Sequence, residues 1–357
     1  MPEKYWENHL AAGPLPVVRA LESCTAGELA RLTADYTSRG KLAASCEELA
    51  ERAYSGRDRT ALTELHQLLA LVYDRDFSGV PVAEVDHERQ PLLRDVAAIL
   101  ERAVLGHELA RIDEASVGDH PRSGPEYVHW LKDRVNEHPA GWHPLYHEHI
   151  AHRGTPEDLR LLLAQETSLD PRFDDILASM QMGRTGGEKM EIAANYWDEM
   201  GNGDAGLVHT SLFSQALEAI GADSAYIRDS FMLEAVICGN LSACLALGRR
   251  HYYKAVGYFG VTEYLAPRRF RCMVDTWRRL DLPEVGITYH DLHIGIDAGH
   301  ASGWFKNVVA PLVDGDPLAG RDIALGAMIR LNTSRDYLDE LLLRMRDRSL
   351  VEAGAEA

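Results

Sequence analysis

Apolar residues recur along this chain at the three-to-four-residue spacing of helices. In TAGELARLTADYTSRGKLAASCEELAERAY, Leu29, Leu32 and Tyr36 fall on one face, and Thr25 ahead of them suits a helix N-cap. DRTALTELHQLLALVYDR and LLRDVAAILERAVLGHELARI repeat the period. Further on, it predicts helices near 156–166, 172–182, 187–200, 207–220, 225–249, 251–265, 268–280, 286–312 and 321–347. Alternating strand-type runs are nearly absent, so the expected fold class is all-α. The Gly/Pro/Ser-containing stretch ASVGDHPRSGPEY and the loop NEHPAGWHPLYH interrupt the pattern. They divide the chain near residue 135 into a helical N-terminal extension, 1–135, and a second domain, 136–357. The extension carries no catalytic constellation and reads as a dimerisation layer.

The chain has 357 residues, 46% of them hydrophobic, enough to bury a sizeable core. Its formal charge of −18 argues against a nucleic-acid or anionic-membrane binder, which needs clustered Lys and Arg. The five cysteines, Cys24, Cys46, Cys238, Cys244 and Cys272, form no CxxC and no disulfide framework. They read as reduced thiols, which places the protein in a cytoplasm. The opening MPEKYWENHLAAGPLP lacks a basic segment followed by an apolar one, so no signal peptide is expected. No apolar run approaches the roughly 18 residues of a membrane span.

One short segment changes the picture. YHDLHIGIDAGHASGW carries His290, His293, Asp297 and His300. On a helix, at about 100° per residue, His293, Asp297 and His300 fall at about 0°, 40° and −20°, with His290 near the edge at about 60°. Two imidazoles and a carboxylate are costly to bury on one stripe unless something pairs with them. A metal ion resolves that cost, and this donor mixture suits Fe(II), Mn(II) or Zn(II) better than Mg or Ca. A carboxylate-rich helical bundle suits two irons, because bridging carboxylates offset their charge. Facing helices would then supply more Glu and His. EKMEIAANYWDEMGNGDAGLVHTSLF offers Glu191, Glu199 and His209, with the Gly201 and Gly203 loop turning the chain between the last two. YFGVTEYLAPRRF offers Glu263 among apolar residues, and LLLAQETSLDPRF offers Glu166 at the end of an apolar helix.

Over roughly residues 140–315 the chain resembles the haem-oxygenase-like diiron oxidases, also called iron-containing redox enzymes. The carriers are QETSLDPRFDD, KMEIAANYWDEMGNG followed by a His, the Glu263 helix and HIGIDAGH. The resemblance implies a haem-oxygenase-like helical bundle whose three core helices ligate two iron ions. Glu199 and His209 would come from the first, Glu263 from the second, and His293, Asp297 and His300 from the third, a helix often mobile without metal. Some N-oxygenating members carry an additional carboxylate ligand, for which Glu166 is the first candidate here and Glu191 the second. The N-terminal block is similar to the dimerising extension of such members.

The same resemblance implies O2 as co-substrate and an external reductant, since no flavin or iron–sulfur motif is present. The expected reaction is N-oxygenation of an amine or guanidine on an amino-acid-like substrate. An alternative with the same metals is oxidative C–C cleavage or desaturation of an amino acid or fatty acid. An alternative of another class is a non-redox binding module or hydrolase on this scaffold. A hydrolase would need an activated nucleophile, whereas Cys238 and Cys244 sit in apolar helix and read as packing residues. The expected partners are a small-molecule substrate, an electron donor and a second copy of the chain, with no nucleic acid and no membrane. GWHPLYHEHIAHRG, with His143, His147, His149 and His152, reads as the N-terminal edge of the catalytic block: Pro144 means that any helix starts between His143 and His147, and His149 and His152 would share a face distant from His147. Arg249, Arg250, Arg268 and Arg269 read as solvated helix ends, one of which, or Arg184, could hold a substrate carboxylate.

Overall fold

A computed structural model of the chain describes residues 8–79, 81 and 90–355. Among the described residues the secondary structure is helical throughout, with no strand. Contacts divide the chain into two compact units, Met1–Arg111 and Ile112–Ala357. The boundary read from sequence near 135 falls inside the helix Gly124–Glu137, which belongs to the second unit. That helix starts within the loop-like stretch itself, with Pro125 in its first turn, where a missing N–H costs nothing.

The first unit contains α1 (Pro14–Leu21), α2 (Ala26–Ala34), α3 (Tyr36–Tyr54), α4 (Arg59–Phe77) and α5 (Pro91–Ala110). Thr25 caps α2 in a reciprocal box with Glu28. Asp35 then stops α2 and caps α3, accepting from the backbone N–H of Thr37 and Ser38. This break overturns the shared face expected for Leu29, Leu32 and Tyr36. Leu29 is buried, whereas Tyr36 begins a new helix and is 80% exposed.

The second unit contains α6 (Gly124–Glu137), α7 (Pro156–Glu166), α8 (Phe173–Met180), α9 (Gly186–Glu199), α10 (His209–Ala219), α11 (Ser224–Ser230), α12 (Leu233–Leu247), α13 (Tyr252–Arg279), α14 (Thr288–Gly303) and α15 (Pro317–Ala355). A π-helical turn, Trp304–Val309, follows α14. The long α13 is the spine, packed extensively against α15 and α14. A Cβ on Gly257 of α13 would stand 1.8 Å from the Ile323 carbonyl of α15, so only glycine lets the two backbones meet there.

Two expectations about helix ends fail, each for a local reason. Pro267 does not separate two helices; α13 runs through it. A proline at this place removes only the N–H that would reach the Glu263 carbonyl, and packing on both sides holds the helix together. The single helix expected over 225–249 is two, α11 and α12, bent by 101°. Phe231 and Met232 are extended there, and the buried Gln165 satisfies the broken ladder. Its Oε1 accepts from the Met232 N–H at 2.8 Å and its Nε2 donates to the Ser230 carbonyl at 3.3 Å. Among the described residues no single helix is long and apolar enough to cross a membrane; the bent pair α11–α12 passes that test by length and composition only.

Candidate metal centre

The site grows from three places where the chain is turned sharply or buried tightly. Glu199 is the last residue of α9. After it Gly201, Asn202 and Gly203 all take positive φ, 61°, 53° and 88°. A Cβ on Gly201 would stand 2.6 Å from the Leu207 carbonyl carbon, so glycine is required where the chain folds back on itself. The turn returns the chain so that α10 opens with His209 facing Glu199, Nδ1 to Oε2 at 2.8 Å. Glu263 lies mid-way along α13, and α14 supplies His293, Asp297 and His300.

All six side chains are buried, none more than 5% exposed. They form two groups whose potential ligand atoms lie within 4.8 Å of one another: Glu199, His209 and His293, and Glu263, Asp297 and His300. Glu199, Glu263, His293 and Asp297 share one small compartment of about 40 Å³, lined also by Asp170, Phe173 and Phe270.

Hydrogen bonds fix which nitrogen of two histidines is free. His293 Nδ1 donates to the Tyr289 carbonyl at 2.6 Å, leaving Nε2 turned toward Glu199, 3.9 Å from its Oε1. His300 Nε2 donates to Asp198 Oδ2 at 2.8 Å. Its Nδ1 is buried without a hydrogen-bond partner, 3.6 Å from Glu263 Oε2 and 3.8 Å from Asp297 Oδ1. Glu263 Oε1 is buried without a partner as well. A carboxylate paired to the far nitrogen of a metal-binding imidazole is the usual way its ring is oriented. Orphaned atoms converging from two side chains, His300 and Glu263, are what a bound cation would satisfy. The donor set therefore fits iron: each group mixes imidazole and carboxylate, which suits a borderline divalent metal.

The electrostatics agree. Burial opposes a charge on Glu199, but His209 and His293 outweigh it and hold its carboxyl down to about 2. Burial likewise works against a charge on His300, yet Glu263 and Asp198 carry it up to about 9. Asp297 is pushed well above the carboxylate range by burial and then by Glu263, Glu199 and Asp170. Such crowding of carboxylates is unfavourable unless a cation joins them.

The structure thus brings together the six core residues singled out in the sequence. Glu166 stands apart from both groups, paired with His290 through Oε2 and Nε2 at 3.0 Å, and burial raises its carboxyl to about 8. Glu191 belongs to neither group, accepting from Asn307 Nδ2 at 2.6 Å beside Gly303. Two residues escaped sequence reasoning. Asp198, next to Glu199, holds His300. Asp170 faces the compartment with Oδ2 buried and unpartnered. Only its place in SLDPRF, four residues after Glu166, could have flagged it. His143 and His149 take Asp339 and Asp158 as partners and join no metal-capable group among the described residues. Arg268 and Arg269 are not solvated ends: both reach inward, to Asn136 and Gly141, and to Ala140 and Ser334.

No curated protein matches the chain in sequence. The profile of one family, described as iron-containing redox enzyme, matches residues 160–335 and so spans both groups of candidate ligands. Through residues 160–335 the chain belongs to the iron-containing redox enzyme family, with its all-α haem-oxygenase-like fold, and the protein is an oxidoreductase.

Proposed function

We propose that the protein is a non-haem diiron oxygenase that uses O2 to oxidise the nitrogen of an amine. The observation that carries this reading is the pair of adjacent buried groups, Glu199, His209 and His293 beside Glu263, Asp297 and His300. Each would hold one iron. A bound pair of ferrous ions would supply electrons to O2 at one place and leave coordination positions open to it.

The chain's own residues do the rest. Asp198 and the Tyr289 carbonyl hold His300 and His293 in the ring orientations that present Nδ1 and Nε2 inward. Phe173, Phe270, Tyr289 and Leu169 wall the compartment and limit water. Glu166 and Asp170 line the larger chamber that adjoins it, and carboxylates there suit an amine better than a hydrocarbon chain. The balance is one amine, one O2, two protons and two electrons giving one hydroxylamine and one water. An external reductant supplies the electrons.

The test is to supply the iron-loaded enzyme with candidate amines, reductant and 18O2, and to follow O2 uptake together with product mass. N–O products carrying one 18O atom per oxidation support the reading. O2 uptake with only alkene or aldehyde products moves the protein to oxidative cleavage or desaturation.

A further inference from the structure

Tyr289 is the second residue of α14, one turn before His293, and its carbonyl holds that imidazole. Its ring centroid lies 4.2 Å from that of His293 and 6.1 Å from that of His209. Phe213 and Phe270 close around it at 5.3 and 6.3 Å, and the residue is buried. A ring packed this way cannot swing aside without disturbing the core. It also lines the metal compartment, which at about 40 Å³ has room for only a few waters. Little therefore separates the phenol ring from the candidate ligands. No Trp, Cys or Met lines that compartment, and the other non-histidine rings in its wall are Phe173 and Phe270. A phenol is oxidised far more readily than a phenyl ring, because its oxygen donates electrons into the ring. Tyr289 is thus the most easily oxidised group in the wall that is not itself a candidate ligand.

We propose that Tyr289 is a self-modification site. Without substrate, the iron-loaded protein hydroxylates this ring at the carbon next to the phenol oxygen, giving a catechol. The balance is one ring C–H, one O2, two iron(II) and two protons giving one ring C–OH, one water and two iron(III). Of the four electrons that O2 takes, two come from the C–H bond and two from iron, so a single turnover needs no further reductant. This rests on the proposed O2 chemistry at two irons, and not on an amine being the substrate. The consequence is regulatory. The added hydroxyl takes up part of a small compartment, and a catechol is a bidentate oxygen ligand for iron(III). Reaction with O2 in an empty site therefore shuts that site, and substrate protects it by taking the oxygen atom first.

The test is one exposure of the anaerobic, iron(II)-loaded full-length chain to 18O2, without substrate or reductant. Iron oxidation and O2 uptake are followed, and the digested protein is then mapped by mass spectrometry. One 18O atom is expected on Tyr289, together with a visible band from catecholate on iron(III), and neither in the metal-free nor in the zinc-loaded chain. Tyr289→Phe keeps the backbone carbonyl that holds His293 and should lose both label and band. A readout without turnover is fluorine NMR of the chain carrying 3-fluorotyrosine. Anaerobic iron(II) should broaden most strongly the resonance that Tyr289→Phe lacks. Label on Phe173 or Phe270 instead, a tyrosyl radical that decays without gaining oxygen, or a Tyr289 resonance untouched by iron(II) overturns the proposal. Iron oxidation with no label also overturns it and leaves the O2 reading standing, whereas no O2 uptake sinks both. If the variant does not fold, the wild-type map still decides.

Discussion

Two glycines in α14, Gly295 and Gly299, alternate with the candidate ligands His293, Asp297 and His300. Both are exposed, and a Cβ built on either would meet no atom within 4 Å. Nothing in the fold therefore requires glycine, and each weakens the helix by about 1 kcal/mol relative to alanine. The cost falls on the segment that must also bury Asp297 beside Glu263 and Glu199. Without metal, α14 should be among the first parts of the second unit to open. The perturbation is the double change Gly295→Ala and Gly299→Ala, which alters no ligand. It should stabilise the closed helix by about 2 kcal/mol and slow amide exchange across α14 about 30-fold in the metal-free chain. Iron should also be retained more strongly against a chelator, by up to the same factor, because less binding energy is spent closing the helix. Hydrogen exchange read by mass spectrometry, with and without iron(II), measures the first effect, and chelator competition the second. Unchanged exchange in the metal-free double variant would refute the reasoning, since the helix would then be held by packing that its own propensity does not limit.

Two further outcomes follow from other parts of the structure. Asp198→Asn leaves all six candidate ligands in place but weakens the hold on His300, so iron affinity should drop by about 10–100-fold at one of two sites, read by competition titration. In the first unit, burial and then His107 hold the His66 imidazole down to about 3. Because the folded value lies below the unfolded one, the contribution is complete above about pH 6.5 and is lost as pH falls toward 3. Denaturant titrations at pH 7 and pH 5 should show that acid limb, and His66→Gln should flatten it; an unchanged limb would count against this account of His66.

Much of the second unit was legible because helical period and chemistry coincide there. The H-x3-D-x2-H spacing of α14 can satisfy one face only, and the structure puts all three side chains on it. Glu199 and His209 were legible as a pair because the glycine loop between them must turn. What escaped depends on partners far away in sequence. The break before α12 is fixed by Gln165, more than sixty residues earlier. The continuity of α13 through Pro267 comes from α14 and α15 packed alongside it. Asp35 is a local signal that competed with a good apolar period and won, because its carboxylate satisfies two N–H groups at once.

The central claim is two irons in one buried centre, and the most direct measurement is anaerobic titration of the metal-free, full-length chain with iron(II). It should be followed by exposure to O2, with bound iron and O2 uptake both counted. About two irons per chain, falling to about one in Glu263→Gln, and O2 uptake that requires both, is the predicted result. One iron or none in the wild-type chain would contradict it.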